Sequence, residues 1–424
     1  MARVRPLRGI HFNPQHIDLG GVLAPPYDVI SAQQRDELYA HDLRNVVRVD
    51  FGKPMPEDVP GAHDVYTRAA AHLRSWLDLG IVVQDEKPSI YVTDHEFATP
   101  DGAIKHRRGL LARVPARSWG ESEVLPHEHT LRGPKEDRLA LMRAARTQTS
   151  PVWALWDRAF GLSDVLENVT AGPALLSGRT ESEVAAERHG LWRIDDPPAV
   201  AGIVEALAPS RLYIADGHHR FETAAAYAAE RRTAGDRGDD DSQFALLYLC
   251  GADDPALVVQ PTHRLVLPRP GLPYSRDDLL YRLDDAWEME PADSMVQALD
   301  VITRERGARH AFALAAPDGI AVLSSEFHEE SSPAQRLDVA VLAAEILERC
   351  GVGKSELTEG ALRYSRDPAE VEAAVRRGEA ALGFCVNPCT TSEVLTVADA
   401  GEVMPQKSTY FSPKVPTGLI LSPL

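Results

Sequence analysis

The stretch Leu212-Tyr213-Ile214-Ala215-Asp216-Gly217-His218-His219-Arg220-Phe221 decides how this chain folds. Its first four residues are an apolar run that stops at Asp216-Gly217, and Phe221 to Arg232 is Ala-rich with helix-forming charges. The pattern is a strand, a tight turn and a helix. A helix N-terminus exposes unpaired backbone N–H groups and a partial positive charge, so phosphate or carboxylate binds there readily. Gly217 lets the backbone approach a ligand, Arg220 offers a planar fork to phosphate oxygens, and His218 or His219 can donate or shuttle a proton. Asp216 has the chemistry of a Mg²⁺ ligand or a general base. The plain structural alternative is an N-cap Asp beside two surface histidines.

On either side the hydrophobic pattern switches repeatedly between strand and helix periods, with no long repeat, which predicts a mixed α/β (α+β) architecture. His63 to Leu79, Lys135 to Arg146 and Leu337 to Arg349 read as helices. Ser89 to Phe97 and Ala103 to Val114 read as strands of a hairpin turning at Pro100-Asp101-Gly102, and Ala311 to Leu323 reads as another around Pro317-Asp318-Gly319. Phe244 to Cys250, Ala256 to Val259 and Ala380 to Val386 complete the strands. The Pro- and Gly-rich run Pro268 to Pro273 marks a boundary. Expected, then, are a core region over residues 1–270, a smaller α/β region over 271–380, and a C-terminal segment over 381–424 that returns to the core.

A second polar constellation is Pro126-His127-Glu128-His129-Thr130, followed by Gly133-Pro134-Lys135-Glu136-Asp137-Arg138. Glu128 fits a general base, Lys135 and Arg138 fit phosphate contacts, and the histidines fit metal contacts, although an HxH pair alone lacks the other ligands of a zinc site. A capped helix start explains the same residues structurally. Met404 to Lys414 packs Lys407, Ser408 and Thr409 between prolines, a stretch suited either to closing over a phosphate or to docking as a tail. Ala24 to Ile30 is a rigid turn presenting Tyr27 and Asp28. Gly351-Val352-Gly353-Lys354-Ser355 imitates the end of a P-loop, but the required first glycine falls at Glu348, so it reads as a helix end and loop.

The chain has 424 residues with 45 Lys and Arg against 63 Asp and Glu, a net charge of −18. That balance disfavours nucleic acid as the main partner, because such binding draws its affinity from a basic face. No apolar run approaches a membrane span, and a soluble cytoplasmic protein is expected. The four cysteines, Cys250, Cys350, Cys385 and Cys389, are too few for a disulfide framework and read as strand or core residues.

Taken in order, APPYDVI at Ala24 to Ile30, HEHTLRGPKEDR at His127 to Arg138, TQTSPV at Thr147 to Val152, ADGHHR at Ala215 to Arg220, PTHRLV at Pro261 to Val266 and ADAGEVMPQKSTYFSPK at Ala398 to Lys414 resemble a bacterial and archaeal family, domain of unknown function 1015, over nearly the whole chain. The turn Asp216 to Arg220 also resembles, more distantly, the phosphate-holding box of the ParB and sulfiredoxin superfamily, above all the DGHHR element of its free serine kinases. That resemblance implies a ParB/sulfiredoxin-like nucleotide-binding core with an additional α/β region. It carries over only to Asp216, Gly217, His218, His219 and Arg220. A sulfiredoxin would need a reactive cysteine where His218 and His219 stand, and a partitioning protein would need a DNA-reading module, so neither activity is expected.

The expected function is a nucleotide-dependent phosphotransferase acting on a small hydroxyl metabolite. ATP, ADP or CTP with Mg²⁺ would serve as cofactor, and a homodimer is compatible with the sequence. Glu128, Asp216, His218 and His219 form the catalytic set, and Gly217, Arg220, Lys135, Arg138, Lys407, Ser408 and Thr409 the nucleotide contacts, with Asp216 as Mg²⁺ ligand. A nucleotide-binding regulator with little catalysis is the alternative. A metal-dependent hydrolase or nuclease using His127, His129, His218 and His219 is a second. Acidic residues gather in outlying stretches such as Asp236 to Asp241, so a small phosphorylated ligand is expected in a local positive cleft formed by Lys135, Arg138, Arg220, Lys407 and Lys414.

Overall fold

A computed structural model describes the chain apart from Met1, His16, Pro100, Asp101, residues 129–131, residues 182–184, Tyr274, Asp284, Glu329 and residues 354–359, and apart from the side chains of residues 132–134. The architecture is mixed α/β. The chain divides into two compact units, one of Met1–Pro126, Thr130–Leu257 and Pro413–Leu424, the other of His127–His129 and Val258–Ser412. Apart from His127–His129, the first unit runs to Leu257, whereas the sequence suggests a boundary at residue 270. Residues 381–412 stay with the second unit, and only the last twelve rejoin the first.

The first unit is built on an eight-stranded sheet in the order Val124–Leu125, Leu212–Asp216, Val152–Trp156, Phe244–Gly251, Ile104–Pro115, Ile90–Ala98, Glu187–Ile194 and Leu176–Thr180. Leu212–Asp216 runs parallel to Val124–Leu125, and Phe244–Gly251 parallel to Val152–Trp156, while the other pairs are antiparallel. Alternation sorts the strands' side chains onto two faces. Leu212, Ile214, Ala154, Leu247 and Leu249 face a core shared with Leu162, Leu166, Ile203, Leu207, Phe221 and Ala224 of three helices, Leu162–Thr170, Pro197–Leu207 and His218–Thr233.

The other face carries polar stitches. Buried Arg107 lies 4.1 Å from the centre of the Trp153 ring and donates from Nη1 to the Pro413 carbonyl at 2.7 Å. Arg113 donates to Ser422 Oγ at 2.9 Å and to the Pro423 carbonyl at 2.5 Å. Ser422–Pro423 pairs antiparallel with Thr147–Gln148, so the C-terminal residues dock as a strap within this unit.

The second unit has a six-stranded antiparallel sheet in the order Glu288–Ala292, Gly319–Glu326, Arg309–Ala316, Leu382–Cys385, His263–Val266 and Leu362–Ser365. Helices Met295–Glu305 and Pro368–Arg376 supply its core through Met295, Ala298, Ile302, Val371 and Ala374. Of the expected helices, His63 to Leu79 is Val65–Asp78 with a capping box at Asp64, and Lys135 to Arg146 is Arg132–Ala145. Leu337 to Arg349 instead divides into α-helix Asp338–Val341 and π-helix Leu342–Leu347, a switch in hydrogen-bond register that an apolar period of three to four residues cannot reveal. Both expected hairpins form as antiparallel pairs, Ile90–Ala98 with Ile104–Pro115 and Arg309–Ala316 with Gly319–Glu326. Pro100 and Asp101 of the first turn lie outside the described residues.

One close approach tests the packing. A Cβ built on Gly178 would lie 2.2 Å from the Gly20 backbone nitrogen, an obstacle that no side-chain rotation removes. Gly178→Ala should lower unfolding stability by about 1–3 kcal/mol, read as a shift in urea midpoint at unchanged m-value.

Candidate functional site

The strand Leu212–Asp216 shifts register against Val152–Trp156 between Ile214 and Asp216, so the strand bulges where the motif begins. Bulges re-aim side chains, and they recur beside active sites. Gly217 follows at φ 92° and is itself the N-cap of the sixteen-residue helix His218–Thr233, whose first turn holds no acidic residue. The cap is therefore Gly217, not Asp216, and His218 is buried rather than on the surface. A Cβ on Gly217 would meet Arg220 Nε at 2.9 Å, so the left-handed turn and the Arg220 position require each other.

Asp216 is clamped. One carboxylate oxygen accepts from Lys414 Nζ and the other from Arg220 Nη2. Burial alone would raise its pKa, but the charges of Lys414 and Arg220 outweigh burial and hold the carboxyl well below the usual range. This counts against the base role expected for Asp216, because a carboxylate with both oxygens engaged by cations is a poor general base. Arg220 is equally committed, because Nη1 donates to Ser150 Oγ at 3.1 Å and also to the Pro151 carbonyl.

The other expected cations of this unit are also paired. Lys135 Nζ donates to Glu222 Oε2 at 2.6 Å, and Trp119 Nε1 donates to the same carboxylate at 2.5 Å. Arg138 Nη1 donates to the Asp50 carbonyl at 2.7 Å, its Nη2 lies 2.6 Å from Asp137 Oδ2, and its guanidinium stacks 4.1 Å from the centre of the Tyr27 ring. Burial, then Asp28, push the Tyr27 phenol up to about 12, so it is neutral at physiological pH. Lys135, Arg138, Arg220 and Lys414 thus form a compensated network rather than the expected positive cleft.

Glu128, Lys407, Ser408 and Thr409 belong to the second unit. There the Lys407 backbone N–H donates to Glu128 Oε1 at 3.1 Å, and Glu128 bridges in parallel to Met404. His127 Nε2 lies 3.0 Å from Thr409 Oγ1, and Ser408 Oγ donates to the Pro405 carbonyl at 2.6 Å. Lys407 adopts φ 60°, rare for a residue with a side chain, and buried Arg264 donates to its carbonyl at 3.2 Å. The expected nucleotide contacts therefore divide between units, Lys135, Arg138, Gly217 and Arg220 in the first and Lys407 to Thr409 in the second.

Among the described residues, one group holds three candidate metal ligands within 4.8 Å, and it is His95, Glu187 and His189 rather than the expected histidines. His129, expected as a metal contact, lies outside the described residues, as do Lys354 and Ser355 of the P-loop imitation. His95 Nδ1 lies 3.1 Å from Arg107 Nη2, which can only donate, so the ring proton sits on Nε2 and faces Glu187 Oε2 at 2.6 Å. A metal on Nε2 needs that proton gone and an acceptor at Nδ1. The trio is therefore a hydrogen-bonded chain from Arg107 through neutral His95 to Glu187. All four cysteines are buried and free, and burial pushes the Cys385 and Cys389 thiols up to about 12, as befits core residues.

Sequence reading missed Asp50, which nothing local marks, and gave no role to Thr149 and Ser150 of the TQTSPV motif. Thr149 Oγ1 donates to Asp50 Oδ1 at 2.6 Å across 99 residues, a proximity only the fold creates.

Two predictions follow from this geometry. Gly217→Ala should cost about 1–3 kcal/mol of unfolding stability, from a side chain forced to positive φ, measured by urea denaturation. His95 and His189 are held neutral, their pKa values driven well below the usual one by burial, with Arg107 adding to the effect on His95 and His95 to that on His189. The unfolded chain gains protons below about pH 6.5 that the folded chain refuses. Stability should therefore be full above that value and fall on acidification by up to about 1.4 kcal/mol per pH unit for each histidine. His95→Asn should flatten the slope of urea midpoint against pH between neutrality and pH 5.

Among solved structures, a free serine kinase in complex with AMP is 15% identical over 70% of this chain and 89% of that chain, with a TM-score of 0.36. A conserved hypothetical protein from Pyrococcus furiosus is 17% identical over 71% and 92%, with a TM-score of 0.33. SbnI with C-terminal truncation from Staphylococcus aureus is 11% identical over 74% and 87%, with a TM-score of 0.36. No curated protein matches the chain. Residues 4–340 match the model of a family described as Protein of unknown function (DUF1015).

Proposed function

The chain belongs to the DUF1015 family, of unknown function, and on that premise we propose that it binds the phosphates of a nucleotide at the His218–Arg220 helix start and transfers a phosphoryl group to a small hydroxyl compound. The observation that carries this reading is the bulged strand end leading into a left-handed Gly217 cap on a sixteen-residue helix with no acid in its first turn. Such a turn aims backbone N–H groups and the positive end of a long helix at one spot, and phosphoryl transfer relies mostly on positioning and charge stabilisation of this kind. Arg220 contributes as the brace that fixes the turn, since its guanidinium spans Asp216, Ser150 and the Pro151 carbonyl.

Asp216 is too firmly paired to accept the acceptor's proton, so no step is routed through it. Calorimetric titration with ATP, ADP, AMP and CTP should show saturable binding that Gly217→Ala weakens about tenfold or more. Mass spectrometry of incubations with a panel of small hydroxyl compounds should reveal a phosphorylated product. Absence of binding by any of these nucleotides would remove the proposal.

One observation favours the second reading, a nucleotide-binding regulator. The only carboxylate inside the motif is neutralised by two cations, which suits holding a ligand better than taking its proton. Nucleotide binding without any phosphorylated product would select this reading.

A further inference from the structure

Arg107 is 1% exposed, a cation set into the sheet on the face opposite the helices. Its guanidinium lies 4.1 Å from the centre of the Trp153 ring and 5.8 Å from those of Phe97 and Tyr248. Nη1 donates to the Pro413 carbonyl at 2.7 Å and Nη2 to His95 Nδ1 at 3.1 Å, so both arms meet neutral partners. Burying a guanidinium against neutral groups is costly, and an apolar side chain of similar length would fill the same aromatic box without that cost. What an arginine adds is a planar fork whose two arms are fixed relative to each other. One arm rests on His95, which is itself held by donating from Nε2 to Glu187 Oε2 at 2.6 Å. The other arm is thereby aimed at one carbonyl of the returning C-terminal segment.

That carbonyl belongs to a proline. The pyrrolidine ring fixes φ near −65°, which leaves ψ of Pro413 as the one soft angle deciding where the chain goes next. A hydrogen bond to the carbonyl sets ψ, and so sets the peptide plane from which Lys414 departs. Lys414 has little freedom to correct a wrong departure, since its side chain is only 12% exposed. Its Nζ donates to one oxygen of Asp216 while Arg220 donates to the other. An unbroken run of contacts thus leads from Glu187 to the Gly217 turn inside one unit.

We propose that Arg107 is a positioning residue for the Gly217 site, acting through the Pro413 carbonyl to seat Lys414 on Asp216. Its effect on nucleotide rests on the phosphate reading above, whereas the seating of Lys414 does not.

The test follows side-chain ammonium resonances of the full chain carrying isotopically labelled lysine, with ADP affinity measured by calorimetry on the same preparations. Lys414→Arg assigns the Lys414 signal by its loss, and Lys135, paired with Glu222, is the internal control. Arg107→Met fills the aromatic box but removes both donors. It should shift or broaden the Lys414 signal, leave that of Lys135 in place, and weaken ADP about tenfold. Pro413→Ala keeps the carbonyl but frees φ, so even if Arg107→Met fails to fold it should move the Lys414 signal and weaken ADP about threefold. Adding Arg107→Met to Lys414→Met should cost no further ADP affinity, whereas a merely structural role makes the two losses add. An unmoved Lys414 signal in a folded Arg107→Met, or in Pro413→Ala where Arg107→Met does not fold, would overturn the seating. Unchanged ADP affinity in a folded Arg107→Met, or additive losses, would overturn the role in the site and leave the phosphate reading standing. A Lys414 signal that moves as expected in a protein that binds no nucleotide would uphold the seating and remove the phosphate reading alone.

Discussion

The clamp of Arg220 and Lys414 on the Asp216 carboxylate is the interaction on which the site depends. It joins the end of the strand Leu212–Asp216, the first turn of the helix that follows, and the returning C-terminal segment. Through Arg220 it also reaches the Ser150-Pro151 approach to the neighbouring strand, where Thr417 Oγ1 donates to the same Ser150 hydroxyl at 3.0 Å. Removing one partner of a buried ion pair strands the other in a medium that solvates it poorly, at a cost of about 3–5 kcal/mol. The clamp thus holds Gly217 in its left-handed conformation and keeps the helix N-terminus aimed at one place. The same arrangement deprives Asp216 of the chemistry its sequence position invites.

The net charge of −18 gives the same lesson on a larger scale. Counting basic residues near the motifs implies a positive pocket, but in the first unit Lys135, Arg138, Arg220 and Lys414 each meet a carboxylate. Glu222 takes Lys135, Asp50 and Asp137 take Arg138, and Asp216 takes both Arg220 and Lys414. What remains to attract a phosphate is the positive end of a long helix, a weaker but well-directed source of positive potential.

Local order was legible where the chemistry is local. The strand-turn-helix at Leu212 to Arg232 follows from an apolar run, a glycine and an Ala-rich segment, and the two hairpins follow from alternation around Gly102 and Gly319. Partners distant in the chain were not legible. Lys414 and Asp216 are 198 residues apart, Thr149 and Asp50 are 99, and neither pair leaves a mark in composition or period. The expected boundary at residue 270 has a related history. Pro268 to Pro273 has the composition of a linker, yet the long stretch of the second unit begins at Val258, with the short strand Val258–Gln260 that pairs with Tyr410–Ser412. The His95, Glu187 and His189 group was invisible because His95 stands on one strand and Glu187 and His189 on its neighbour, and they meet only across the sheet ladder.

The central claim, that the Gly217-capped helix start is the anion-holding element, is tested most directly by titrating ADP into isotopically labelled protein and following backbone amide resonances. The account predicts that the largest shifts fall on the amides of His218, His219 and Arg220, with the Lys414 side-chain pairing undisturbed. Shifts concentrated elsewhere, with those three amides unmoved at saturation, would contradict it.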